Sequence, residues 1–385
     1  MPDWSPEPSH SSASLAELAK EFLRLGFIAF GGPAAHIAMM EERFVRRLHW
    51  LSRERFLDLV GAVNLLPGPS STELAIYLGE VRAGAAGLLV SGSCFILPAA
   101  FLAVALAWAY QAYGTVPQVA SLLVGVKPVV VALIAQAVWN LARTAIKTIP
   151  LAVLAVGVIL LAAFGAPLLV LLIAAGALWI VVREGVGLTK PRNNAVSLFG
   201  VFAFAASGSL GITALFLYFL KIGAILFGSG YVLLAVLRAD LVLRYRWLTE
   251  AQLLDAIAVS QATPGPFFTV STFIGYLLGG WQGAVVATLG MFLPAFVYVA
   301  ATARFLPRLR KSPVAGAFLD GVNAAAVALM AFVGYQFAHA ALTSWPVIAI
   351  AVVSVFLVIR YRVNSTWLVL GGALLGVLLH AFGKI

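Results

Sequence analysis

Two short stretches carry the most distinctive chemistry in the chain: Asn64-Leu65-Leu66-Pro67-Gly68-Pro69-Ser70-Ser71-Thr72, followed by Glu73, and a near copy, Gln261-Ala262-Thr263-Pro264-Gly265-Pro266-Phe267-Phe268-Thr269. Both lie between apolar segments. Proline disfavours helical geometry in the residue before it, glycine relaxes the turn, and a second proline is pre-set for the first position of a new helix. Each stretch therefore reads as a helix stopped and restarted, with backbone N–H groups and hydroxyls exposed at the restart. Donors gathered in this way favour an anion. Gly31-Gly32-Pro33 and Gly228-Ser229-Gly230 read as a second pair of breaks, so four restarts, after Pro33, Pro69, Gly230 and Pro266, can converge.

A helix N-terminus contributes roughly 0.3 to 2 kcal/mol toward an anion. Replacing the hydration shell of a dianion therefore calls for several such ends and a true cation. The candidates are Arg24, His36, Lys127 and Lys221. Each has a structural alternative: Arg24 and Lys221 can snorkel to the interface, His36 can be a packed histidine, and Lys127 sits early in a span. Glu73 suits a proton carrier, a salt-bridge partner for Arg24 or Lys127, or a first-turn carboxylate that stabilises its own helix. Asp58 and Asp255 sit close to capped helix starts and read as structural, and Trp50 and Trp247 as interfacial anchors.

The elements that position these residues are membrane helices. Hydrophobic residues make up 62% of the 385-residue chain and charged residues 10%. The mean hydropathy is +1.01, and long apolar runs recur throughout, which marks a polytopic helical membrane protein. Residues 1–14 are polar, rich in Pro and Ser, and read as a disordered cytoplasmic tail. The net charge of +10 reflects basic loops that orient the spans, and nothing interleaves aromatic with basic residues as nucleic-acid binding would require. The single cysteine, Cys94, excludes an internal disulfide and a cysteine-based metal centre.

The chain is one unit written twice. Phe22 aligns with Phe219, Gly26 with Gly223, Gly31 with Gly228, Trp50 with Trp247, Asp58 with Asp255, Asn64 with Gln261 and Thr72 with Thr269. After a one-residue deletion Gly79 aligns with Gly275, Pro98 with Pro294, Lys127 with Asn323, Pro150 with Pro346 and Gly176 with Gly372. The reading is a transport repeat over 15–183, a linker and the start of a topology-inverting helix over 184–211, and a second repeat over 212–385. Four apolar spans close each repeat, near 85–112, 117–142, 150–164 and 166–182, then near 283–303, 316–342, 346–359 and 364–382.

Lysine and arginine in the short loops swap sides between the repeats. The first loop is uncharged in repeat 1 but holds Arg304, Arg308, Arg310 and Lys311 in repeat 2; the next holds Arg143 and Lys147 in repeat 1 and no charge in repeat 2; the third holds Arg360 and Arg362 only in repeat 2. This predicts two inverted-topology repeats. The loops at Arg43 to Arg55 and Arg238 to Arg246 are both basic, which fits either half-depth hairpins lining an anion vestibule or full crossings that break the rule. Counting each broken pair as a crossing, the expected fold is an all-α polytopic membrane protein of two inverted-topology repeats with broken helices and about 13 transmembrane segments.

Broken helices at matching positions of inverted repeats point to a secondary transporter with its site near mid-bilayer. The candidate site comprises Arg24, Gly31, Gly32, Pro33, His36, Asn64, Pro67, Gly68, Pro69, Ser70, Ser71, Thr72, Glu73, Lys127, Lys221, Gly228, Gly230, Gln261, Thr263, Pro264, Gly265, Pro266 and Thr269. An enzyme is not expected: the five histidines are scattered, Cys94 is alone, no H-E-x-x-H occurs, and no catalytic residue, cofactor or metal site is read. A passive anion channel stays open.

The motifs Phe30-Gly31-Gly32-Pro33-Ala34-Ala35-His36, Leu65-Leu66-Pro67-Gly68-Pro69-Ser70-Ser71-Thr72-Glu73 and Phe95-Ile96-Leu97-Pro98, with Phe227-Gly228-Ser229-Gly230-Tyr231, Ala262-Thr263-Pro264-Gly265-Pro266 and Phe292-Leu293-Pro294, resemble those of the chromate ion transporter (CHR) family in its long, two-repeat form. The resemblance runs from about residue 20 to the end. It implies export of chromate across the cytoplasmic membrane by a multi-pass protein, with chromate resistance as the outcome and sulfate as a related or competing oxyanion. Sulfate uptake or exchange is the alternative, and a homo-oligomer stays open. The second half lacks the Pro and His of the first motif, which leaves His36 without a counterpart: Leu233 stands at its position.

Overall fold

A computed structural model describes residues 14–64, 66–114, 116–184, 211–226, 230, 232–302, 313–361 and 363–382, and no strand occurs among them. The tail at 1–13, the linker with the start of the topology-inverting helix, the charged loop at 304–311, and Gly228 lie outside the described residues.

Helix α1 (Leu15–Ile28) starts on Ser14, whose hydroxyl accepts the Glu17 amide at 3.1 Å. It stops at the glycine pair, where Gly31 takes a φ of 108°, and α2 (Pro33–Met40) restarts on the proline and continues as a π-helix over Glu41–Arg47. The second arm folds back along the first. Phe22 stacks on Phe44 with centroids 4.9 Å apart, and the Arg43 guanidinium forks onto both Glu21 oxygens at 2.7 and 2.6 Å.

Helix α3 (Arg53–Val63), capped by Ser52, leads to the Pro67-Gly68-Pro69 break. Helix α4 (Ser70–Tyr113) follows, but it reverses direction at Ala83 (φ −143°) and Gly84 (φ 59°). Gly79 and Gly87 close that reversal, because a Cβ on either would run into the carbonyl of the other. Arg82, at the end of the short arm 70–82, lies 5.1 Å over the Trp50 ring, and Trp50 stacks on Phe44 at 4.6 Å. The outer ends of all four arms therefore gather in one place.

The two arms of each broken pair thus fold back on one another, as in the half-depth hairpins that the two basic loops left open as one reading.

The second half repeats the plan. Helices α8 (Ile212–Ile225), α9 (Val232–Leu237, passing into a π-helix at Arg238–Arg244) and α10 (Glu250–Ala262) lead through a 3₁₀ turn (Phe267–Thr269) into α11 (Val270–Thr302). A Thr249/Gln252 capping box opens α10. Helix α11 reverses at Gly279 (φ −145°) and Gly280 (φ 60°), a near copy of the first reversal.

Helices α5 (Pro117–Ala145), α6 (Ile149–Ala163) and α7 (Leu168–Glu184) complete the first half; α12 (Pro313–Ala341), α13 (Trp345–Tyr361) and α14 (Ser365–Ala381) complete the second. Stretches in α4, α5, α11 and α12 are long and apolar enough to cross a membrane. In α4 and α11 the crossing length belongs to the arms after the reversals, 85–113 and 281–302. The halves interlock through small residues: Gly125 of α5 packs on Gly372 and Gly376 of α14, and Gly321 of α12 on Ala175 and Gly176 of α7. Between the long arms, the Cβ position of Gly92 faces the Phe296 ring, and Gln111 Nε2 of the first long arm donates at 3.2 Å to the carbonyl of Leu277, just before the second reversal.

Candidate functional site

The Pro-Gly-Pro breaks are exchanged between the halves. The Gly68 amide donates to the Leu226 carbonyl at the end of α8, and the Gly265 amide donates to the Ala29 carbonyl at the end of α1, both at 2.8 Å. Ala29 and Leu226 occupy matching positions, as do Gly68 and Gly265, so the two bonds are related by the pseudo-symmetry of the fold. Each glycine needs its freedom: φ is 134° at Gly68 and 93° at Gly265. A Cβ would also meet a Glu73 carboxylate oxygen at the first and the Ala99 methyl at the second, both at 2.6 Å.

A cavity lies where the first break of one half meets the second break of the other. Its lining is Gly31, Gly32, Pro33, Gly230, Ser260, Gln261, Thr263, Gly265 and Phe267. Water-sized centres fit over ≈ 10 Å³, about enough for one water and too small for a tetrahedral oxyanion. Among the described residues, Ser260 Oγ and Gln261 Nε2 of the lining are buried without a hydrogen-bond partner. The Thr263 hydroxyl is turned onto the Ser260 carbonyl at 3.2 Å and that of Thr269 onto the Pro266 carbonyl at 2.8 Å.

His36 supports the cavity from behind and is 1% exposed. Its Nε2 lies 3.1 Å from the Ala29 carbonyl and its Nδ1 3.2 Å from Ser71 Oγ. A carbonyl only accepts, so Nε2 carries the proton and Nδ1 accepts from the serine hydroxyl when the ring is neutral. The Ala29 carbonyl thus receives both the His36 ring and the Gly265 amide. Phe95 meets the ring edge-on at 5.7 Å.

Glu73 and Thr72 lie on the other side of the exchange, both 0% exposed. The Glu73 carboxyl sits under the Gly68 turn, and among the described residues neither of its oxygens nor Thr72 Oγ1 has a hydrogen-bond partner. The partnerships expected for Glu73 are not formed: Lys127 pairs with Asp255 at 3.3 Å, and Arg24 is exposed on the outer face of α1. Lys221 lies near the Asp240 carboxylate. No arginine or lysine lines the cavity.

Among the sequence-derived candidates, Gly31, Gly32, Pro33, Gly230, Gln261, Thr263 and Gly265 line the cavity, His36 and Ser71 are linked to it through the Ala29 carbonyl, and Gly68, Thr72 and Glu73 are buried at the other break. Pro69, Pro264 and Pro266 are buried flanks of the breaks; Ser70 and Pro67 are partly exposed, and Asn64 is exposed. Ser260 and Phe267 were not among the candidates: Ser260 stands one residue before the copied motif, and Phe267 lies inside it but was passed over as an apolar residue. Asp255, read as structural, is 3% exposed and ion-paired across the halves.

The profile of the chromate transporter family matches the chain twice, at residues 16–180 and 213–377. A chromate transport protein of Cupriavidus metallidurans is 31% identical over 98% of both chains. A probable chromate transport protein of Synechococcus elongatus is 32% identical over 84% of each, and a chromate transport protein of Pseudomonas aeruginosa is 34% identical over 82% of this chain and 79% of its own. No solved structure matches.

Proposed function

Because the chain belongs to the chromate transporter family, we propose that it is a secondary transporter that exports chromate across the cytoplasmic membrane and thereby confers chromate resistance. The observation that carries this reading is the reciprocal pair of bonds from Gly68 to Leu226 and from Gly265 to Ala29. They tie each broken hairpin to the opposite half around a closed cavity, the arrangement that alternating access about a fixed site requires.

In this reading residues 15–183 and 212–385 are two inverted transport repeats. The pairings support it: Gly92, early in the first long arm, meets Phe296 well along the second, and Gln111, late in the first, reaches Leu277 just before the second begins, so equivalent helices run in opposite senses. Each half contributes four crossings, the long arm after the reversal and the three helices that follow. The hairpins enter and leave at one face in each repeat, which removes the conflict between the two basic loops: they border two vestibules, one at each face, that gather anions.

Neutral donors suit an oxyanion that must leave again. On opening, Gln261, Ser260 and the α2 N-terminus would take over the hydration of a tetrahedral dianion. Outward movement is downhill: at about −100 mV a dianion gains roughly 4.6 kcal/mol on leaving, more than a thousandfold in concentration ratio. Everted vesicles given chromate, with sulfate as competitor and with or without an imposed potential, test the reading. Saturable, potential-driven accumulation is expected. Flux that never saturates would mean a channel, and sulfate movement in the reverse sense would mean an uptake system.

A further inference from the structure

The ion pair between Lys127 and Asp255 joins the two halves beside the cavity. Asp255 lies on α10, five residues before Ser260, or about 7.5 Å along the helix. Lys127 belongs to α5 of the other half, and Tyr110, near the end of the long arm of α4, donates to Asp255 Oδ2 at 3.0 Å. The two charged side chains are 20% and 4% exposed, and Lys127 Nζ is 3.3 Å from Oδ1. Tyr110 therefore fixes one carboxylate oxygen while the other holds Lys127. The device is built once, because the position matching Lys127 in the second half is Asn323.

Lys127, 20% exposed, is held by an anion on the helix that carries Ser260 and Gln261 to a cavity whose described lining is neutral. Building on the transporter reading, we propose that Asp255 is an internal stand-in for the transported dianion. It neutralises Lys127 while the cavity is closed, and the incoming oxyanion takes the lysine from it, which parts α10 from α5 and opens the cavity on that side. Two charges on the substrate outweigh one on the carboxylate, whereas a monoanion competes at parity. The pair thereby selects dianions, and Asp255 acts as a positioning residue for Lys127.

The test uses the full chain in proteoliposomes, with initial rates of chromate flux split into KM and kcat. D255N is expected to lower KM about fivefold or more and to lower kcat, because the lysine is free for substrate but the closed form is no longer held. K127Q should raise KM about tenfold, while K127R, which keeps the charge, stays within about twofold. The double variant K127Q/D255N leaves no buried charge; it should insert as the wild type does and keep the raised KM. An unchanged or higher KM in D255N, or a wild-type KM in the double variant, overturns the proposal. Absence of any oxyanion flux in the wild type removes the transporter reading and this proposal with it, whereas wild-type flux with an unaltered D255N removes this proposal alone.

Discussion

The amide of Gly265 donates to the carbonyl of Ala29, two residues that belong to different halves of a duplicated chain, and the bond is mirrored by Gly68 and Leu226. An exchange of this kind makes each half incomplete alone. The break in one hairpin is satisfied by the end of a helix in the other, so the two cannot move without remaking those bonds.

Replacing either glycine should be costly for two separate reasons. G68A and G265A force a side chain into the left-handed region and into contact with Glu73 or Ala99. A loss of about 1 to 3 kcal/mol in stability is expected at each site, read as a lower unfolding temperature in detergent together with lost chromate flux. A variant at either site with normal stability and flux would mean that the breaks are not constrained as described.

His36 tests whether the asymmetry of the site matters. H36L copies Leu233, the residue at the matching position of the other half, and should pack and insert. It removes the Nε2 donor from Ala29, and flux should fall about tenfold, as expected for the loss of one hydrogen bond worth ~1.4 kcal/mol. H36Q, which can still donate, should retain more flux than H36L. Equal flux in the two would reduce His36 to a packing residue.

Glu73 is a fully buried carboxyl without a partner, placed under the Gly68 turn. If it takes up and releases a proton during the cycle, E73Q keeps the shape and removes the ionisation, so the dependence of flux on pH should flatten. The group shown to face it is Tyr298, whose hydroxyl donates to the Ala224 carbonyl at 2.8 Å. An unaltered pH profile in E73Q would leave the carboxyl with a structural role only.

Arg24 separates a pathway role from an interfacial one. Its side chain is exposed on the outer face of α1 and away from the cavity, so R24Q should lower chromate flux by no more than about twofold. A larger loss at unchanged protein level would put Arg24 back in the pathway.

Much of this was legible in the sequence, because duplication and local chemistry are written in residue order. The Pro-Gly-Pro breaks and the final four helices of each half fall where they were expected. The fold-back of the hairpins was not, since it depends on contacts such as Phe22 with Phe44 and Arg82 with Trp50, which no periodicity reveals. The breaks near Gly84 and Gly280 were legible as boundaries, since the long spans were read to begin near 85 and 283, but that the chain turns back there was not, because one residue at positive φ in an apolar run looks like a tolerated glycine. The cavity itself takes one wall from each half, and the pairing of Asp255 with Lys127 follows from how the halves interlock. Repeat alignment places equivalent residues side by side on paper, whereas the fold brings non-equivalent ones together.

The most direct measurement of the central claim is the sidedness of two matching loop ends. Single cysteines placed in a C94S background at Tyr113 and at Pro307, probed in intact cells with a membrane-impermeant thiol reagent, should react from opposite faces of the membrane. Labelling of both from the same face would contradict the inverted arrangement and the transport mechanism built on it.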